Sequence, residues 1–288
     1  KIVWDVGHQA YPHKILTGRK EKMLSMRQKD GLHPFPSRDE SNFDAFGVGH
    51  SSTSIGAALG MSVANPENRH ISVIGDGAIT AGMAYEAMAH AGSIDRDLLV
   101  ILNDNNMSIS NNTGGIANYL AKIWSSKWYI QVRESGKSVL RMIPSAKRFA
   151  KQTETSIKGF LSPGALFEEL GFHYIGPMDG HNLKDLVRTL KNINNLSGPI
   201  FLHLVTKKGK GFVPAEKDPI TFHALSNSKP ASNENKGPKY QEVFGEWLCE
   251  KAESGDDDLV AITPAMSEGS GMKEFAERFP DQFYDVAI

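Results

Sequence analysis

Two short segments hold residue types that together could bind a metal ion and a diphosphate: Gly75-Asp76-Gly77-Ala78 and Asn103-Asp104-Asn105-Asn106-Met107. Asp76 offers a hard carboxylate oxygen and Asn105 an amide oxygen, while Gly75 and Gly77 let the backbone approach phosphate oxygens closely. A site with few protein oxygens suits Mg2+, which completes its octahedron with phosphate oxygens and water. By itself, Gly-Asp-Gly reads first as an ordinary turn with a carboxylate helix cap. The surrounding elements have to decide between the two.

Each segment ends an apolar run, His70 to Ile74 and Leu98 to Leu102, of the kind that forms a parallel strand buried on both faces. Between them Ala81 to Ala91 carries Ala, Met and Tyr at helical spacing, so strand, helix and strand form one βαβ unit. Parallel strands joined by a crossover put both polar tips on the same edge of the sheet, where open α/β folds bind ligands. Asn105 follows Asp76 by 29 positions. That spacing resembles the thiamine diphosphate fingerprint of transketolase-like enzymes, in which the Asp, the Asn and a main-chain oxygen two residues beyond the Asn hold the metal. The resemblance assigns these roles to Asp76, Asn105 and the carbonyl of Met107, and thiamine diphosphate with Mg2+ as the cofactors.

Longer stretches narrow the resemblance. Trp4-Asp5-Val6-Gly7-His8-Gln9-Ala10-Tyr11-Pro12-His13-Lys14, Gly31-Leu32-His33-Pro34-Phe35-Pro36, Gly49-His50-Ser51-Ser52-Thr53-Ser54 and Asp218-Pro219-Ile220-Thr221-Phe222-His223-Ala224 are similar, in order and along essentially the whole chain, to 1-deoxy-D-xylulose-5-phosphate synthases. In that family His8, Gly49, His50, Ser51, Asp76, Gly77, Ala78, Asn105 and Phe212 would contact the cofactor. His8, His50 and His223 would serve catalysis. An isolated histidine is more often a satisfied structural residue; the family motifs move His8 and His50 toward the ligand, and an imidazole at His223 could carry the protons that carbonyl addition requires. His181, in Asp179-Gly180-His181-Asn182, is explained nearly as well by capping of the next helix. His33, His173 and His203 read as structural. Phe212 stands where relatives often have tyrosine, which leaves stacking but removes a hydroxyl.

The activity implied is condensation of pyruvate with glyceraldehyde 3-phosphate, with loss of CO2, to 1-deoxy-D-xylulose 5-phosphate, a precursor of isoprenoids and thiamine. A homodimer is implied as well. Two alternatives stay open from sequence: another thiamine diphosphate enzyme of the transketolase type, and a non-catalytic module that keeps only the cofactor site.

At 288 residues, 40% hydrophobic and with net charge −1, the chain can bury one large core or two smaller ones, and no bulk charge points to nucleic acid or membrane. The single cysteine, Cys249, sits on an apparent helix core face, which fits a reducing cytoplasm. Residues 1–229 read as a doubly wound, mostly parallel α/β domain of the thiamine diphosphate-binding type. Its later strands are Phe172 to Ile175 and Ile200 to Thr206, and a helix between them carries a core stripe of Leu183, Leu186, Val187, Leu190 and Ile193. Ser226 to Lys239 is non-periodic and holds Pro230 and Pro238, with residues 230–239 set as linker; residues 240–288 read as the truncated start of a second α/β domain, expected to bind the pyrimidine ring. Residues 113–162 carry nine Lys and Arg against Glu134 and Glu154. This basic insertion reads either as a mobile lid that attracts anionic substrates or as a solvated helical segment. By comparison with the family the chain is expected to be an internal fragment, inactive alone, because a catalytic glutamate and a phosphate-binding arginine clamp belong to segments it does not contain.

Overall fold

The computed structural model describes residues 1–6, 10–105, 115, 119, 164–219, 222–223, 237–255 and 258–286. Most of the basic insertion, most of the proposed linker, His8 and Met107 lie outside these residues.

Five parallel strands form the main sheet: β1 (Ile2–Trp4), β2 (His70–Gly75), β3 (Leu98–Asp104), β4 (His173–Asp179) and β5 (Ile200–Val205), in the spatial order β1-β2-β3-β5-β4. Period-two alternation sends successive side chains of β3 to opposite faces. Leu98, Val100 and Leu102 enter a core with α2 (Ser54–Ala64) and α3 (Gly82–Ser93), whereas Leu99 enters a second core with Leu186, Leu190 and Ile193 of α5 (Leu183–Ile193). Burial on both faces explains why the central strands read as unbroken apolar runs. The short helix α4 (Ala165–Glu169) precedes β4 and places Phe167 against Phe201, with ring centroids 3.8 Å apart.

The α5 stripe is only partly core. Ile193 is 1% exposed and Leu186 and Leu190 are partly buried, but Leu183 is 70% and Val187 42% exposed. The side chains of α5 that do pack meet β3, β4 and β5, whereas the stripe's first residue, Leu183, stays outside that cluster.

Between α1 (Tyr11–Lys14) and α2 the chain follows a long path, irregular from residue 31 to residue 53. A buried ionic network fixes that path. Arg19 makes a bidentate pair with Asp44 at 2.8 Å on each arm and also reaches Glu40 at 2.7 Å. Glu40 accepts from Lys14, whose ammonium is fully buried, and Asp44 lies 2.9 Å from His13 Nε2. Burial pushes both carboxyls up, but the hydrogen bonds from Arg19, Lys14 and backbone amides outweigh it and hold Glu40 and Asp44 below the ordinary carboxylate range. Arg19 pairs with both carboxylates, and removing it would take the bidentate partner from the buried Asp44, so the network favours a single course for the loop that delivers Gly49 and His50.

A second, two-stranded parallel sheet pairs β6 (Ala261–Thr263) with β7 (Phe283–Asp285) and packs with α7 (Tyr240–Glu253) and α8 (Lys273–Arg278) around Leu248, Cys249, Ala261 and Phe275. After residue 239 the described elements thus run helix, strand, helix and strand, and Cys249 is buried as its pattern predicts. Among the described residues no helix is long and apolar enough to cross a membrane.

Candidate active site

All five strands of the main sheet run the same way, so their carboxyl ends meet along one edge. Gly75 pairs with Asn103 and Asp104 with Val205, which sets the tips of β2, β3 and β5 side by side. Asp76 follows β2 and is 2% exposed. Behind it Gly77 opens a single 3-10 turn over Ala78–Thr80, closed by Thr80 Oγ1 on the Gly77 carbonyl at 2.7 Å.

Asn105 follows β3, and its side-chain oxygen is buried with no hydrogen-bond partner among the described residues. A buried amide oxygen left this way is costly unless something absent from the protein completes it. A cation beside the Asp76 carboxylate would do so, because both oxygens are hard donors at neighbouring strand ends. The carbonyl of Met107, expected as a third ligand, lies outside the described residues.

Behind Asn105 a buried chain holds the strand end. His203 Nε2 meets Asp104 Oδ2 at 2.8 Å, and its Nδ1 meets the Tyr174 hydroxyl at 2.8 Å, which ties β3, β5 and β4 together. Burial pushes the Tyr174 phenol well above its ordinary value, so it stays a protonated donor to His203. Both ring nitrogens of His203 are thus engaged within the fold. His181 accepts from the Lys207 amide at 2.8 Å, and Asn182 is the residue that caps α5. The ring of His181 is therefore engaged in holding the loop after β5.

That loop carries a residue the sequence did not single out. Lys208 places its ammonium 2.8 Å from Nδ1 of His223. Burial lowers the Lys208 pKa, and the Asp76 carboxylate opposes that shift, which puts Asp76, Lys208 and His223 in one electrostatic group. Burial, then Lys208, then Arg27 push His223 down to about 4, so its imidazole is neutral at pH 7. With Nδ1 accepting from Lys208, the ring proton resides on Nε2. The signal for Lys208 was a basic pair, Lys207-Lys208, directly after a strand, but surface lysines are common there and nothing in the sequence pairs Lys208 with His223.

Phe212 caps α6 (Val213–Lys217) and is 54% exposed, its ring edge-on to Phe222 at 5.6 Å. Gly209, at φ 74, allows the turn; a Cβ there would lie 2.6 Å from the Ala215 backbone. Glu216 accepts from the Gly211 amide at 2.9 Å and pairs with Lys207, which closes the loop on itself.

On the other flank Gly49 and His50 are exposed and Ser51 is buried, with His50 Nδ1 3.0 Å from the Ser51 carbonyl. Ser52 joins this turn to the Asp76 segment, donating its hydroxyl to the Ala78 carbonyl at 2.8 Å. His8 lies outside the described residues.

These features define a doubly wound α/β protein with charged and polar side chains gathered at the carboxyl ends of its parallel strands. Residues 1–206 match the sequence profile of the family described as 1-deoxy-D-xylulose-5-phosphate synthase. The chain belongs to that family. It is 59% identical over 297 residues to the 1-deoxy-D-xylulose-5-phosphate synthase of Pseudomonas entomophila (strain L48), covering 100% of this chain and 47% of that protein. To the same-named protein of Pasteurella multocida (strain Pm70) it is 58% identical over 299 residues, covering 100% of this chain and 48% of that protein. The chain thus spans about half the length of the curated relatives it matches. Among solved structures, a transketolase from Leishmania mexicana aligns over 72% of this chain and 28% of its own, at 18% identity and a TM-score of 0.48.

Proposed function

We propose that the full-length protein condenses pyruvate with glyceraldehyde 3-phosphate, with loss of CO2, to form 1-deoxy-D-xylulose 5-phosphate, using thiamine diphosphate and Mg2+ at the β2/β3 edge. The observation that carries the reading is the buried, unpartnered Asn105 oxygen at the strand end beside that of the buried Asp76, in a chain whose relatives bear the name of that synthase.

Asp76 and Asn105 would hold the metal, and the metal with Lys208 would neutralise the diphosphate. Gly77 and Ala78 leave room for phosphate oxygens, and Gly49, His50, Ser51, His8 and Phe212 would border the rest of the cofactor. Bound thiamine diphosphate supplies the electron sink for decarboxylation and carbon–carbon bond formation. His223 is neutral at working pH and holds its proton on Nε2, so Nε2–H can donate to a carbonyl oxygen. Lys208 fixes that tautomer through Nδ1. The lone, buried Cys249 supports a reducing cytoplasm as the setting.

The test is product analysis. Full-length protein given pyruvate, glyceraldehyde 3-phosphate, thiamine diphosphate and Mg2+ should release one CO2 for each 1-deoxy-D-xylulose 5-phosphate formed. Two-carbon transfer between sugar phosphates without CO2 release would assign a transketolase activity instead, and no turnover would leave only a cofactor-binding role.

A further inference from the structure

Asp5, just beyond β1, is 1% exposed, and burial raises its carboxyl. Its two oxygens are used on one turn: Oδ1 accepts from the Ser52 amide at 2.7 Å and Oδ2 from the Ser54 amide at 3.0 Å. The second bond satisfies an open amide at the start of α2, whose own N-cap residue, Thr53, makes no side-chain capping bond. The first holds Ser52 at φ 72, a left-handed conformation that a serine adopts only when its surroundings impose it. In that conformation the Ser52 hydroxyl reaches the Ala78 carbonyl at 2.8 Å, and Ser54 Oγ meets Ser72 Oγ of β2 at 2.7 Å.

The turn that carries His50 and Ser51 is therefore tied to the Asp76–Ala78 segment through a serine whose bend is set by a carboxylate just beyond β1. We infer that Asp5 is a positioning residue: by holding Ser52 in its left-handed bend it fixes the distance between the His50 turn and the Gly77-Ala78 turn, and so sets the width of the diphosphate cleft. Asp5 acts through Ser52, and neither needs to touch the ligand. The inference rests on the proposed function for the identity of that ligand.

Two substitutions test it in the full-length protein. Ser52→Gly removes the hydroxyl bridge but suits a left-handed φ better than serine does, so the fold should keep or gain stability. Asp5→Asn keeps the shape and leaves one of the two amides without its acceptor. With thiamine diphosphate and Mg2+ as the probe, both should raise the cofactor Kd about tenfold, the worth of one buried hydrogen bond. In steady state the same variants should raise the apparent cofactor KM while kcat at saturating cofactor stays within about twofold, as expected for a change confined to binding. An unchanged Kd in Ser52→Gly overturns the inference, and so does a raised Kd accompanied by a matching fall in its melting temperature, since that is what a merely structural serine would give. Wild-type protein is run beside them. If it fails to bind thiamine diphosphate, the proposed function falls and takes the inference with it; if it binds and the variants match it, only the inference falls.

Discussion

Asp76→Ala should abolish Mg2+-dependent binding of thiamine diphosphate in the full-length protein, weakening it at least about a hundredfold, since even groups behind a metal ligand commonly cost 10- to 100-fold when lost. Asp76 supplies a full negative charge at a buried strand end, and no water can replace that charge. Asp76→Asn separates charge from shape: the amide fills the same volume, so its loss of affinity should approach that of alanine. Asn105→Ala should be milder, because a water can take the place of a neutral amide oxygen in the octahedron. Titration calorimetry with and without Mg2+ reads all three. An Asp76→Asn protein with unchanged, Mg2+-dependent affinity would remove Asp76 from the metal site.

His223→Ala should lower kcat by about a hundredfold, the ordinary worth of a positioned proton donor or acceptor, with cofactor affinity nearly retained. The pH dependence follows from the imidazole being pushed down to about 4. Between that value and the ordinary histidine value near 6.5 the unfolded chain binds a proton at this position and the folded chain does not, so this residue's contribution makes stability rise with pH across that window. Above 6.5 it contributes no slope. The His223 ring resonances should accordingly titrate near pH 4, and Lys208→Met should move the midpoint upward, because an ammonium 2.8 Å from Nδ1 opposes protonation. A wild-type midpoint at 6.5, or a kcat untouched by His223→Ala, would return the residue to a structural role.

How much could be read without coordinates follows from where the information resides. β2 and β3 are legible because parallel strands buried on two faces must be apolar throughout, and they break where Asp76 and Asn105 begin. The helix between them and the strand ends on a common edge follow from the βαβ rule. Lys208 was not legible, since its significance comes from a contact with a histidine fifteen residues on, across a loop whose course the sequence does not dictate. Asp5 and Ser52 belong to the family-like motifs, but nothing in those motifs pairs one with the other. The left-handed bend at Ser52 has no local signature, because glycine or asparagine is the usual occupant and the bend here is imposed by a carboxylate 47 residues earlier. The stripe on α5 is only partly core: helical periodicity reports an apolar face but not what packs on each part of it, and Leu183 and Val187 stay exposed.

In the proposed function Asp76 and Asn105 together hold the metal that anchors a diphosphate. The most direct test of that arrangement is a crystal structure of the full-length protein with thiamine diphosphate and Mn2+ in place of Mg2+, with the ion located by its anomalous scattering. One peak is expected between β2 and β3, with an Asp76 carboxylate oxygen and the Asn105 side-chain oxygen each about 2.0–2.2 Å away and diphosphate oxygens completing the shell. A diphosphate bound elsewhere on the sheet edge, or a metal peak that leaves the Asn105 oxygen unpartnered as it is now, would contradict it.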